Sequence, residues 1–98
     1  MEIALTTDAR LSSPDTVTVY GAAWCEDTTR AREHFDAAGM PYRYVDLDED
    51  VAATAQLTDA GYLATPVVVT STGKVFVEPS NDELDGIVAS APPAVAVE

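Results

Sequence analysis

Thr16 to Thr28, TVTVYGAAWCEDT, is the stretch whose reading decides the fold. Val17, Val19 and Tyr20 belong to a run of β-branched and aromatic residues, the pattern of a strand. Gly21-Ala22-Ala23 is a small-residue turn, and Trp24 precedes the single cysteine of the chain, Cys25. Glu26, Asp27, Thr28, Arg30 and Arg32 then follow as a helix-like run. A cysteine between strand and helix holds its sulfur near unpaired helix N–H groups, at the positive end of a helix dipole. Both favour the thiolate, which is the reactive species. Cys25 is therefore a candidate nucleophile; the plainer alternative is a small buried core residue.

Working outward, the helix is expected from Cys25 to Ala38, with Ala31, Phe35 and Ala38 on one face. Gly39 closes it and Pro41 confirms the stop. Tyr42–Asp46 alternates and reads as a second strand, so strand, helix and strand form a βαβ unit with parallel strands. A second helix is expected over 50–60, with Val51, Ala55 and Leu57 inward and Gly61 as its cap. Val67–Thr70 is a buried-strand signal, Ser71–Lys74 a turn, and Val75–Glu78 the return strand of a hairpin. Ser80 followed by Glu83 is a capping box that opens a last helix through Leu84, Ile87 and Val88. The order β-α-β-α-β-β-α predicts an α/β fold of thioredoxin-like type, a four-stranded mixed sheet flanked by three helices. The expected organisation is an N-terminal extension over 1–15, a domain over 16–89 and a flexible tail over 90–98.

Composition narrows the function classes. With 98 residues, 47% hydrophobic and 22% charged, the chain fits one soluble domain able to bury a core without staples. No apolar run approaches membrane-spanning length, and the start MEIALTTDAR is not a secretory signal, so the expected location is cytoplasmic. One cysteine makes no internal disulfide, and with only His34 beside it makes no structural zinc site. A net charge of −12 argues against nucleic acid and anionic membranes and for a soluble acidic surface. His34 is expected at a rim, and Tyr20 and Tyr62 in packing. Asp46, Asp48, Glu49 and Asp50 are expected to be solvated turn and cap residues.

Four segments in this order resemble the glutaredoxin family, and within it the mycoredoxin-like actinobacterial branch. They are Val-Thr-Val-Tyr running into Trp24-Cys25, Val45-Asp46-Leu47-Asp48, Ala64-Thr65-Pro66-Val67-Val68, and Glu78-Pro79-Ser80-Asn81. The resemblance implies a cis Thr65-Pro66 bond beside the active cysteine, with the Thr65 backbone pairing with a bound thiol. It also implies that Ser80, Asn81 and Asp82 face the polar end of that thiol, where helix N–H groups suit a carboxylate. Trp24 is either a rim aromatic or a wall of the substrate groove. Thr28 is either a plain helix residue or a hydrogen-bond partner of the sulfur.

Two departures from the family pattern shape the expected chemistry. Dithiol members carry a second cysteine where this chain has Thr28, in the motif Cys25-Glu26-Asp27-Thr28. A monothiol route is then expected, in which Cys25 acts on mixed disulfides with a low-molecular-weight thiol. Ala22 and Ala23 stand where glutaredoxins usually place a lysine, and Glu26 and Asp27 oppose a thiolate. Arg30 and Arg32 offset this only if they point back, so Cys25 is expected to be less acidic than in dithiol members. The expected co-substrate is mycothiol or glutathione, with a neutral sugar thiol favoured by the acidic surroundings. No bound cofactor or metal is expected. The partners are small thiols and protein mixed disulfides, and the chain is expected to be a monomer. The competing readings are a redox-inactive thioredoxin-fold binding module and a thiol-dependent [2Fe–2S] carrier.

Overall fold

A computed structural model describes residues 11–13 and 15–91; the readings that fall on 1–10, Pro14 and 92–98 lie outside the described residues. The elements are β1 (Val17–Gly21), α1 (Glu26–Ala37), β2 (Tyr42–Asp46), α2 (Val51–Ala60), β3 (Val67–Val69), β4 (Val75–Val77) and α3 (Asn81–Ser90). This is the expected order, on a single sheet arranged β2-β1-β3-β4. β1 and β2 are parallel and stop side by side, Gly21 opposite Asp46. β3 runs antiparallel to β1, with Tyr20 opposite Val67, and β4 antiparallel to β3, with Val67 opposite Val77. One end of the sheet therefore gathers the exits of β1, β2 and β4 and the entry to β3. Cys25 follows directly from it.

The alternation of the strands sends side chains to two cores. Val17, Val19 and Val68 pack with Ala31, Phe35, Met40, Leu84 and Ile87, which seats α1 and α3 on one face. Tyr20, Val67, Val69 and Val75 pack with Ala53 and Leu57, which seats α2 on the other. Each fully buried Val, Leu, Ile or Phe side chain contributes roughly 1.5–3 kcal/mol. Local chemistry sets the ends. Ala38 caps α1 and Gly39 follows with φ of 70°, the left-handed conformation that glycine adopts without a steric penalty. Ser80 accepts from the Glu83 N–H at 3.1 Å and the Glu83 carboxylate accepts from the Ser80 N–H at 2.9 Å, so the expected capping box is formed.

Two packing expectations need correction. Val51 is 79% exposed and Ala55 is exposed as well; α2 turns Ala53 and Leu57 to the sheet instead. The Asp50 carboxylate caps the Ala53 N–H at 2.9 Å, which fixes Val51 in the solvent-facing first turn. Ala38 is exposed because it lies beyond the last turn of α1. Leu11, within the segment read as an extension, is fully buried in the α2-side core. Its carbonyl accepts from the buried Tyr20 hydroxyl at 2.7 Å.

Candidate active site

Cys25 occupies the N-cap of α1 in an extended backbone conformation and is half-buried. The turn before it is closed by the Cys25 N–H, which donates to the Ala22 carbonyl at 3.0 Å. The Thr65–Pro66 peptide bond is cis, and the segment that carries it lies against the sulfur. The Thr65 hydroxyl donates to Cys25 Sγ at 3.3 Å, and the thiol in turn reaches the Thr65 carbonyl at 3.7 Å. Residues 40 positions apart are thereby brought into contact.

Thr28 lies fully buried one turn into α1, and its hydroxyl accepts from the Ala22 N–H at 3.4 Å. That leaves the hydroxyl proton of Thr28 for the sulfur. Gly21 makes the room, since a Cβ there would stand 2.5 Å from both Cγ2 and Oγ1 of Thr28. Burial raises the Cys25 thiol, but the Thr65 and Thr28 hydroxyls together with the Thr28 and Asp27 N–H groups outweigh it. The net result lies below the ordinary thiol value. No cap hydrogen bond closes at Cys25, so those two N–H groups act as dipoles aimed at the sulfur.

Neither arginine points at the sulfur. Arg30 donates to Asn81 Oδ1 at 2.7 Å and to the Pro79 carbonyl at 3.0 Å, and its Nε lies 3.6 Å from Asp27. It ties α1 to the start of α3 and offsets the charge of Asp27. Arg32 lies over the Tyr44 ring at 3.8 Å and donates to the Tyr42 hydroxyl. Asn81 is thus held by Arg30, and the Ser80 hydroxyl serves as the helix cap. Glu78 leads into this corner with φ of 49°, a sparsely populated conformation for a side-chain-bearing residue. Its N–H donates to the Pro66 carbonyl at 2.8 Å, which links the α3 corner to the cis-proline segment.

Trp24 is 73% exposed beside the sulfur, and Leu63 is 81% exposed two residues before Thr65. A groove of about 170 Å³, lined by Leu47, Leu57, Tyr62, Leu63, Ala64 and Thr65, runs from α2 to the cis-proline segment. His34 lies away from this site and contacts Asp85 across the α1–α3 junction at 2.6 Å. The bracing role of Arg30 and the clearance at Gly21 escape a reading of the sequence. Their partners are 51 and seven residues away, and no local pattern signals either.

A reactive-type cysteine at a strand-to-helix turn, faced by a cis-proline segment, defines a thioredoxin-fold thiol protein. The glutaredoxin family profile matches residues 17–76, more than half of the chain, and the chain belongs to that family. Among solved structures, the fold is similar to the glutaredoxin-like NrdH-redoxin of Escherichia coli, at 18% identity and a TM-score of 0.65. That match covers 79% of this chain and 96% of the other. It is similar also to a glutaredoxin of Archaeoglobus fulgidus, at 21% identity and a TM-score of 0.62, covering 76% and 86%. A thioredoxin-like protein matches at 25% identity and a TM-score of 0.65, covering 72% and 97%. No curated protein sequence matches the chain. Among the described residues no helix is long and apolar enough to cross a membrane.

Proposed function

We propose that the protein is a monothiol thiol–disulfide oxidoreductase with Cys25 as its nucleophile. The observation that carries this reading is the setting of the sulfur: half-exposed, at a helix N-cap, with the Thr65 hydroxyl 3.3 Å away and the thiol value lowered. The thiolate is the species that attacks disulfides, and a lowered thiol value enlarges its share. Cys25 attacks the small-thiol sulfur of a protein mixed disulfide. A new Sγ–S bond forms, the original S–S bond breaks, and the protein thiolate leaves with the electron pair and takes a proton from solvent. The thiolate of a second small thiol then attacks the small-thiol sulfur held on Cys25. This forms the symmetric small-thiol disulfide and returns the Cys25 thiolate.

Thr28 fits one-thiol chemistry, because the position of a resolving sulfur holds a buried hydroxyl. A small thiol such as mycothiol or glutathione supplies the second sulfur, and Trp24, Thr65, Pro66, Ser80 and Asn81 are the residues assigned to its groove. A neutral sugar thiol suits the acidic rim better than an anionic one. The lowered thiol value weighs against a redox-inactive binding module. The test is reduction of a small-thiol mixed disulfide by wild type and by Cys25→Ser. Loss of the rate in the variant is expected; equal rates refute the proposal.

A further inference from the structure

The thiol sits at the acidic end of the molecule. The Leu47 N–H donates to the Gly21 carbonyl at 2.9 Å, so the turn after β2 lies one strand away from the loop that carries Cys25. Glu78 and Asp82 enter the same end from the exit of β4 and the start of α3. Together with Glu26, Asp48 and Glu49 they are exposed. The cations among the described residues do not answer them. Arg30 is held by three acceptors and Arg32 by two tyrosines. Arg43 stands beside Thr18, and Lys74 lies in the β3–β4 turn at the far end of the sheet. Two large apolar side chains are exposed at this end, Trp24 directly before Cys25 and Leu63 two residues before Thr65, and the groove beside Leu63 is of mixed character, with Leu57 and Tyr62 alongside Thr54 and Thr58.

We propose, resting on the thiol chemistry above, that the protein half of the substrate presents its disulfide on a cationic segment. Its cysteine is flanked by Lys or Arg, and an apolar neighbour lies against Trp24 and Leu63. Two effects act in the same direction. The acidic rim concentrates cationic segments and repels anionic ones, an effect that changes association rates by about tenfold or more at low salt. The leaving protein thiolate also develops negative charge inside that rim. A lysine on its own segment compensates that charge, which no unengaged cation among the described residues beside the site does.

Three peptides of one frame test this. Each carries a single cysteine as a mixed disulfide with 2-mercaptoethanol, flanked by Lys, Ser or Glu, and each rate is divided by that of 2-mercaptoethanol alone under the same conditions. The Lys peptide is expected to react about tenfold faster than the Glu peptide at about 20 mM NaCl, and within about twofold of it at about 0.5 M. The double variant Asp48→Asn/Glu49→Gln narrows the low-salt ratio of the Lys-peptide to the Glu-peptide rate by about twofold or more. Equal rates for the Lys and Glu peptides, with the Ser peptide still reduced, overturn the charge preference and leave the thiol chemistry standing. If none of the three reacts faster than with Cys25→Ser, the thiol chemistry fails and this inference fails with it.

Discussion

At the Cys25 sulfur, one hydroxyl is expected to matter most. The Thr65 side chain donates to Sγ at 3.3 Å, and it is the leading contribution that lowers the thiol value against burial. Thr65→Val keeps the shape and removes the donor. The pH profile of Cys25 alkylation by iodoacetamide should move to higher pH, and the rate near neutrality should fall. Thr28→Val should move the profile the same way by less, and cost about 1 kcal/mol of stability, because the Ala22 N–H loses its acceptor. An unmoved profile in both variants would show that neither hydroxyl serves the thiolate. The same lowering links folding to pH. The folded state favours the thiolate, so the contribution is absent below the folded-state value. It grows as pH rises through that value and is complete above the ordinary thiol value. Urea unfolding of wild type and Cys25→Ser at about pH 6 and about pH 9.5 should show the wild-type advantage larger at the alkaline pH. A difference that stays constant or shrinks contradicts the lowered thiol.

Between elements, the tightest constraint is the crossing of β1 by the first turn of α1. A Cβ at residue 21 meets two Thr28 atoms at 2.5 Å, and Thr28 is fully buried, so it has no room to turn aside. Gly21→Ala should therefore cost about 1–3 kcal/mol in urea unfolding. The double variant Gly21→Ala/Thr28→Ala should recover most of that loss; no recovery would place the strain elsewhere. On the same sheet, the Tyr44 hydroxyl is buried with no hydrogen-bond partner among the described residues, and burial followed by nearby Asp46 raises its ionisation. Tyr44→Phe keeps the ring under Arg32 and removes the orphan group, so stability should rise by about 1 kcal/mol. These elements divide by how local their causes are. β1, the α1 start and the α3 capping box are legible in the sequence because each depends on neighbours within a turn. The α2 face is not, because its VAATAQLTDA run has apolar residues all round and only the Asp50 cap sets the register. Leu11 and Arg30 are not legible either, since the Tyr20 hydroxyl and the Pro79–Asn81 corner reach them only through the fold. The position of Cys25 is thus local information, while the Thr65 contact that tunes it is not.

The chain as a whole carries 17 acidic residues against five Lys and Arg, a net charge of −12. The fold does not spread this evenly: β1, β2 and β4 deliver carboxylates to the thiol end, while Arg30 and Arg32 are engaged by other partners and Lys74 lies in the β3–β4 turn at the opposite end of the sheet. Like charges held at one end repel more in the compact state than in the unfolded chain, so folding works against them. Exposed charges are screened over about 10 Å at 0.1 M salt and about 3 Å at 1 M. The melting temperature should therefore rise when NaCl is raised from about 10 mM to about 0.5 M. A gain of about 1 kcal/mol corresponds to about 4–8 °C for a domain of this size. Salt also strengthens apolar burial in any protein, so the rise alone does not identify its cause. The charge-reduced variant Asp48→Asn/Glu49→Gln separates the two. If repulsion at the thiol end is the source, the variant starts with a higher melting temperature at low salt and gains less from added NaCl. If it gains as much as wild type, the acidic end is not a destabilising element of the fold, and its retention needs no compensating role in substrate choice.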